Sequence, residues 1–311
     1  MKVLITGGTN GMGKGVAKAL AANKDVELVI HGRSEPLLRA VSAELAALSA
    51  PERISTLCCD LSRLSDVRTA IDELRARHTG LDAVFVNAGL GYAPGHALTV
   101  DGLDPHFQVN YLSHFMLVLN LLDLLEASKH GGRVIFNAPG FGELNWDDLQ
   151  LKQAKWNTEF AVGQGMVAKR MFAMRLHELY AARSGPSVST YSFEIPKTVW
   201  SNQLTIIPAG MRAMATVMKW FGQFISIEAC GEIMAPLFLE SREACAKKSG
   251  RLVTFKKGEL RDCEKNPMVL DAAQRARMWK LSLELCNDER TTRAAERLTG
   301  RVAEGAPRLA D

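Results

Sequence analysis

Short apolar runs alternate with amphipathic stretches along most of this chain, and no other feature restricts its possible folds as much. The runs have the length of buried strands, and apolar side chains at helical spacing lie between them. The predicted strands are Val3–Ile5, Val26–His31, Ile54–Cys59, Ala83–Asn87, Arg133–Asn137 and Ser187–Phe193. The predicted helices are Gly13–Ala22, Glu35–Leu48, Leu64–Arg77, Gly102–Glu126 and Glu159–Arg183. Because alternating strands and helices form parallel sheets covered on both faces, the sequence predicts a doubly wound α/β fold.

Length and composition limit the class of protein. The chain has 311 residues, 47% of them hydrophobic and 23% charged, which is typical of a soluble protein with one large domain or two smaller ones. The formal net charge is +4 without basic blocks, so no nucleic-acid-binding surface is expected. The sequence has no signal peptide and no apolar stretch of about 18 residues, so neither secretion nor a membrane span is predicted.

Cysteine usage indicates the compartment. The six cysteines form no C-x-x-C pair and have no zinc-ligand spacing, which predicts reduced, mostly buried thiols and no metal site. We therefore expect a cytoplasmic protein. The adjacent Cys58 and Cys59 are expected to be buried strand residues rather than a redox-reactive pair.

The alternation loosens after Pro196, and the segment from Gly210 to Ile227 is rich in methionine and aromatic side chains. Their spacing predicts one amphipathic helix. Three roles stay open for it: a helix packed on the core, a lid over an apolar cavity, or a face that contacts a membrane. A last strand is predicted at Leu252–Phe255 and a last helix at Asp271–Leu285. Residues 288–311 are expected to form a mobile tail.

A glycine-rich turn joins the first strand to the first helix, with the sequence Thr6-Gly7-Gly8-Thr9-Asn10-Gly11-Met12-Gly13. Gly7 permits a tight turn, Gly11 lets the backbone approach a pyrophosphate, and Gly13 lets the helix pack on the sheet. The helix N-terminus supplies N–H groups for the phosphates. This strand-turn-helix context predicts a dinucleotide site.

The end of the second strand indicates which dinucleotide binds. An NAD site usually places a carboxylate there for the ribose 2′-hydroxyl, whereas this chain has Arg33, which would pair with a 2′-phosphate. The sequence therefore favours NADP(H). Asp60 is expected to accept a hydrogen bond from the adenine amino group, and Leu61 to pack on the ring.

Several further motifs complete a pattern: His31-Gly32-Arg33-Ser34, Cys59-Asp60-Leu61, Asn87-Ala88-Gly89, Phe107–Phe115 around Asn110, and a C-terminal helix with Trp279 and Ser282. With them the chain resembles the short-chain dehydrogenases/reductases, in the branch of retinol dehydrogenases and WW-domain oxidoreductase-like enzymes. The likeness covers residues 1–287. It implies a single Rossmann-type domain with a nucleotide-binding part, 1–195, and a C-terminal substrate-binding helical part, 196–287.

The resemblance also implies the residues that contact the cofactor. They are Thr6, Gly7, Thr9, Asn10, Gly11, Met12, Gly13, Arg33, Asp60, Leu61, Asn87, Ala88, Gly89 and Pro196.

The family's catalytic residues are replaced in this chain. The family uses a Ser after the fifth strand, and a Tyr and a Lys four residues apart on the next long helix, where the Tyr donates the proton. The flanking residues fix the register, so Pro139 stands at the Ser position, Val162 at the Tyr position and Met166 at the Lys position. Of the catalytic tetrad only Asn110 is retained.

Other groups could replace the missing acid. Lys169 lies seven residues from Val162, on the same face of the helix, and could reach the ribose or serve as a displaced acid. A solvated or ion-paired lysine is the alternative. The further candidate proton donors are Tyr92, His114, Tyr191 and Glu194.

Two hypotheses about function follow. In the first, the chain is an NADP(H)-dependent reductase of an apolar small molecule with a non-standard proton donor or none. Its lid methionines, Met211, Met214 and Met218, would then line the cavity beside the nicotinamide. In the second, it is a non-redox protein of the same fold: a pseudoenzyme, a partner subunit of an active paralogue, or an isomerase or cyclase. The sequence leaves the substrate, the reaction direction and the oligomeric state open.

Overall fold

A computed structural model describes residues 1–92, 97–153, 156–184, 187–200, 209–256 and 258–300. In this part of the chain the main sheet has eight strands in the order β10-β9-β6-β5-β4-β1-β2-β3, all parallel except β10. The strands are β1 Lys2–Ile5, β2 Glu27–Gly32, β3 Ile54–Cys58, β4 Ala83–Val86, β5 Arg133–Asn137, β6 Ser189–Glu194, β7 Thr198–Val199, β8 Phe224–Ile225, β9 Leu252–Lys256 and β10 Glu259–Asp262. The short strands β7 and β8 pair with each other, outside the main sheet.

Helices cover both faces of the sheet. They are α1 Gly11–Ala21, α2 Glu35–Ala46, α3 Leu64–Arg77, α4 Pro105–Phe107, α5 Ser113–Leu119, α6 Leu122–Glu126, α7 Thr158–Ala181, α8 Ala209–Trp220, α9 Ile227–Leu239, α10 Arg242–Ala246, α11 Pro267–Leu270, α12 Ala272–Cys286 and α13 Glu289–Thr299. Leu4 of β1 faces a core with α3, α5, α7 and α12, whereas Val3 and Ile5 face a second core with α1, α2 and α9. This alternation buries both faces, and it confirms the predicted doubly wound fold.

The sheet reverses its direction of winding at β1. This strand pairs with β2 on one side and with β4 on the other, so that the carboxyl ends of β1 and β4 are adjacent. In open α/β sheets ligands bind in the crevice at such a point. The glycine-rich turn after β1 lies there.

Two predicted helices have different bounds in the structure. The helix expected at 102–126 begins at Pro105, contains a π-helical turn at Gln108–Leu112, and is interrupted at Asn120. The Asn120 side chain donates hydrogen bonds to Met116 O and Thr291 Oγ1, and so competes with the helical pattern.

The helix expected at 210–227 is two helices. The first, α8, ends at Trp220, because Gly222 has a positive φ of 70° and the chain then enters β8. The second, α9, begins at Ile227 and packs on α1. A Cβ atom at Gly231 would lie 2.2 Å from Gly15 O, so the close contact of these two helices depends on glycine at both positions.

The C-terminal region is more ordered than the sequence predicted. Strand β9 is not the last, since β10 pairs with it in an antiparallel hairpin. Within the segment expected to be mobile, Glu289–Thr299 forms α13, which buries Thr291, Ala295 and Leu298. Ion pairs link α13 to residues more than two hundred positions earlier in the chain, for example Arg290 to Asp72. Residues 301–311 lie outside the described part.

The cysteines are all free, and Cys59 is buried as predicted. The same prediction was wrong for Cys58, which is exposed because β3 is the edge strand of the sheet. Among the described residues, none of the helices combines the length and the hydropathy that crossing a membrane requires. The same residues contain no cluster of side chains that could hold a metal ion.

Candidate active site

The glycine-rich turn has the shape that a pyrophosphate site requires. Gly7 and Gly11 have positive φ values of 67° and 53°, and Asn10 caps α1 by accepting a hydrogen bond from Gly11 N at 2.8 Å. A Cβ atom at Gly7 would lie 2.8 Å from Ala88 Cα, and one at Gly13 would lie 2.4 Å from Gly7 O. Gly13 therefore lets the helix approach the turn itself rather than only the sheet. The first N–H groups of α1 stand beside this turn.

Thr6 and Asn87 fasten the turn to the neighbouring strand β4. Thr6 Oγ1 accepts hydrogen bonds from the N–H groups of Asn87 and Ala88 at 2.9 and 3.0 Å. The Asn87 amide donates to Thr6 O and Gly7 O. Since Thr6 is fully buried, its side chain acts through the turn and not by contact with a nucleotide.

His31 is a positioning residue that the sequence analysis did not single out. Its Nδ1 lies 3.2 Å from Gly7 N and its Nε2 lies 3.0 Å from Cys59 O. These partners fit a neutral ring that accepts at Nδ1 and donates at Nε2. Burial lowers the pKa of His31 to about 4, so the ring is neutral near pH 7. His31 thereby joins β2, β3 and the glycine-rich turn.

Arg33 and Asp60 follow β2 and β3 at the same edge of the sheet. Arg33 is exposed directly after β2, where a guanidinium can reach a ribose phosphate. Asp60 Oδ1 accepts hydrogen bonds from the N–H and hydroxyl groups of Ser62 at 3.0 and 2.8 Å. Leu61 is 5% exposed and belongs to the core, so little of it is free to pack on an adenine ring.

Asn110 lies in the π-helical turn and is fully buried. Its side chain accepts a hydrogen bond from Leu90 N at 2.6 Å and donates to Leu90 O at 3.1 Å. This pair of bonds fixes the loop that follows Asn87, Ala88 and Gly89. Behind it, Tyr111 OH is 2.6 Å from Ser282 Oγ of α12, so the C-terminal helix supports the segment that carries Asn110.

The three positions at which the sequence predicts replaced catalytic residues, Pro139, Val162 and Met166, lie at the carboxyl end of β5 and on α7. The main chain around Pro139 is held firmly, because the guanidinium of Arg170 donates to the carbonyls of Pro139 and Phe141. Arg170 is 1% exposed and forms an ion pair of 2.8 Å with Glu264, which is also buried.

Lys169 lies beside this loop and not in solvent. It is 1% exposed, and its Nζ donates a hydrogen bond of 3.2 Å to the main-chain oxygen of Asn137, the last residue of β5. Burial lowers the pKa of Lys169 to about 7. The Asn137 side chain donates to Asn87 Oδ1 at 3.2 Å, which connects Lys169 to the glycine-rich turn. Of the two interpretations of Lys169, the solvated or ion-paired lysine is therefore wrong.

Three of the other candidate donors have structural partners. His114 is fully buried against Thr6 Oγ1, and burial together with the charge of Lys169 lowers its pKa well below the usual range. Tyr191 OH faces Leu237 O and Glu240, and burial raises its pKa well above 10. Glu194 accepts a hydrogen bond from Gly140 N at 2.7 Å. Tyr92 is partly exposed after β4, and Pro196 is exposed after β6.

The predicted methionine lid is not present in the expected form. Met214 and Met218 are 59% and 43% exposed, so they neither pack in the core nor line an enclosed cavity. Two surface depressions of about 550 and 440 Å³ lie elsewhere on the described part of the chain and do not include them. The side chain of Met211 lies outside the described part.

The glycine-rich turn at the sheet's winding reversal, the Asn87-Ala88-Gly89 loop and Asn110 match a known family. Residues 1–148 match the short chain dehydrogenase family. Members of that family use a nicotinamide dinucleotide, NAD(H) or NADP(H). The match supports the predicted family for just under half of the chain, and distant similarity supports its retinol dehydrogenase branch.

Human polyprenol dehydrogenase is 31% identical over 185 residues, which are 58% of this chain and only 55% of that protein. Human retinol dehydrogenase 14 is 27% identical over 296 residues, 90% of this chain and 84% of that protein. The fold also matches RhlG of Pseudomonas aeruginosa, solved with NADP, at a TM-score of 0.62 and 19% identity, with 83% of this chain and 95% of that chain covered.

Proposed function

We propose that this protein is an NADP(H)-dependent oxidoreductase of the short-chain dehydrogenase/reductase family that acts on an apolar small molecule. The observation that carries the proposal is the glycine-rich turn, in which Gly7 and Gly13 leave no space for a Cβ atom. The exposed Arg33 supports the phosphorylated cofactor. Solved proteins of the same fold hold NADP, in RhlG, and NADPH, in the L-sorbose reductase of Gluconobacter frateurii.

Each part of the site would hold one part of the cofactor. The N-terminus of α1 with Gly11 and Met12 would bind the pyrophosphate, Arg33 the 2′-phosphate, and Asp60 the adenine. The loop Asn87–Gly89, held by Asn110, would support the nicotinamide ribose, and Pro196 would border the nicotinamide. When bound, this cofactor supplies or accepts a hydride.

The residues at the usual catalytic positions limit the chemistry. Pro139, Val162 and Met166 have no group that donates a proton, so the family's way of protonating a carbonyl oxygen is not available at these positions. We therefore propose a substrate whose reduction needs no proton on oxygen: an iminium ion, which hydride converts directly to an amine, or an activated alkene, whose α-carbon then takes a proton from water. General acid catalysis is worth about 10²- to 10⁴-fold, so an electrophilic substrate can compensate for its loss.

Lys169 is the residue of α7 that we propose as the replacement for the family's lysine. Its amine has a pKa of about 7 and lies at the end of β5, where it donates to Asn137 O. No other lysine lies on α7. From the end of β5, Lys169 would tune the charge beside the nicotinamide ribose, as a positioning residue.

A second candidate function is a non-redox one, favoured by the replacement of three catalytic positions at once. Titration with NADPH and NADH tests the first proposal: we expect tighter binding of NADPH. Equal affinities, or no binding, would overturn it. A panel of iminium ions and enones with apolar substituents then separates the two functions: a reductase consumes NADPH and its absorbance falls, whereas a protein that only binds the cofactor leaves the absorbance unchanged.

The cytoplasmic location stays a prediction, which cell fractionation would test.

A further inference from the structure

Helix α8 presents its apolar side chains to solvent. Met214, Val217 and Met218 are 59%, 57% and 43% exposed, while Ala215 on the opposite side is buried. The helix is followed by Trp220 and Phe221, which are 88% and 77% exposed. These five residues, Met214, Val217, Met218, Trp220 and Phe221, are called the α8 surface below. An exposed apolar surface of this kind marks an interaction site.

The apolar side chains of α8 share one face of the helix. At about 100° per residue, Met214, Val217 and Met218 fall together, with Arg212, Thr216 and Lys219 on the other side. Both faces are exposed, and only Ala215 among the residues described there is buried. The apolar face of α8 is therefore open to solvent and not packed on the core.

The chain segment that carries the α8 surface has charges of one sign. Between Ile195 and Ile227 the sequence contains three basic residues, Lys197, Arg212 and Lys219, and no acidic one. Lys219 Nζ lies 4.3 Å from the centre of the Trp200 ring. Lys197 Nζ lies beside Gly222, at 4.0 Å from the position of a Cβ atom there. Both cations are thus close to Trp220 and Phe221.

This combination fits the surface of an anionic bilayer. Aromatic rings enter the boundary between headgroups and acyl chains, and neighbouring lysines bind the lipid phosphates and carboxylates. A second copy of this chain would bring the same positive charge to the contact and would be repelled. We infer that the α8 surface docks this protein on membranes that contain anionic lipids.

The chain on either side of α8 is tied together. Strands β7 and β8 pair, Trp200 N donates to Ile225 O at 2.9 Å, and the Trp200 and Phe224 rings pack edge to face. Helix α9, which follows β8, packs on α1. The inference goes beyond the site described above and does not depend on the proposed function.

Co-sedimentation with phosphatidylcholine vesicles, with and without phosphatidylserine, tests the inference on the full chain in the absence of nucleotide. We expect binding to the vesicles that contain phosphatidylserine. The double variant Trp220→Ser/Phe221→Ser should lower the partition coefficient by about tenfold or more. Lys197→Gln should lower it by about fivefold, and only with phosphatidylserine present.

A matched control removes exposed apolar side chains elsewhere. Leu37→Ser/Leu270→Ser changes residues that are 56% and 51% exposed, and it should leave vesicle binding unchanged. An equal loss in this control, or no binding by the unchanged protein, would overturn the inference. So would concentration-dependent dimers that dissociate in the Trp220→Ser/Phe221→Ser variant without any vesicle binding. NADPH titration of the same variants reports separately on the proposed function.

Discussion

Lys169 Nζ donates a hydrogen bond of 3.2 Å to the main-chain oxygen of Asn137, although its side chain is 1% exposed. A buried amine destabilises a fold whenever it is charged, and here burial lowers its pKa from 10.5 to about 7. The buried Lys169 amine at the end of β5 therefore lowers the stability of the fold. This is typical of a functional residue.

Replacing Lys169 by Met should stabilise the protein below pH 7. The Lys169 amine keeps its proton up to about pH 10.5 in the unfolded chain but only up to about pH 7 in the folded one. The cost of burying the charged amine therefore lowers stability fully below pH 7 and disappears as the pH rises toward 10.5. We expect a gain of about 2 to 4 kcal/mol at pH 6 that shrinks as the pH rises. Urea unfolding at several pH values measures it, with the 82% exposed Lys280→Met as the control.

Arg33→Ala should weaken NADPH binding and leave NADH binding nearly unchanged. The loss of a charged hydrogen bond to the 2′-phosphate is worth about 1.5 to 3 kcal/mol, or roughly 10- to 100-fold in affinity. Calorimetric titration gives both constants. Arg39→Ala, which removes an exposed arginine paired with Glu35 on α2, is the matched control. Equal weakening of both cofactors would contradict the assignment of Arg33.

Gly13→Ala should weaken the binding of both nucleotides. The added Cβ atom would lie 2.4 Å from Gly7 O and 2.6 Å from Asn87 Nδ2, and backbone cannot yield as a flexible side chain can. We expect an affinity loss of roughly 2 kcal/mol or more. Gly210→Ala, where a Cβ atom meets nothing within 4 Å, is the control. Unchanged binding in a folded Gly13→Ala protein would mean that nucleotides bind elsewhere.

The triple variant Pro139→Ser/Val162→Tyr/Met166→Lys introduces the family's groups at the positions that the sequence predicts for them. Arg170 holds the carbonyls of Pro139 and Phe141, so the loop should keep its path and present the new hydroxyl. We expect reduction of simple carbonyl compounds with NADPH to appear or to increase. A variant that folds and binds NADPH but shows no increase in carbonyl reduction would indicate that the site serves other chemistry.

Arg170→Met should destabilise the protein by about 3 to 5 kcal/mol, because Glu264 would stay buried without its counter-charge. Thermal unfolding measures the effect, and Arg170→Met/Glu264→Gln should recover part of it. Arg261→Met breaks an exposed pair with Glu259 and should change stability by about 0.5 kcal/mol or less. An equally small loss for Arg170→Met would mean that the buried pair is not needed to hold the loop.

The sequence by itself determined the sheet and the nucleotide turn. Val3–Ile5 followed by three glycines, and strands that recur with helices between them, depend on local spacing and on backbone conformations that only glycine adopts easily. The bounds predicted for Arg133–Asn137 and Leu64–Arg77 agree with the structure for the same reason.

Only the tertiary structure decided where the polar and exposed side chains lie. Lys169 and Arg170 are adjacent basic residues that local patterns place in solvent, yet both are buried because β5 and its loop offer carbonyl partners. The packed α13 depends on Arg68, Asp72 and Asn120, far away in the chain. Met214 and Met218 have the spacing of a packed helical face, yet both are exposed. Burial and pairing are properties of distant contacts, and spacing along the chain does not contain them.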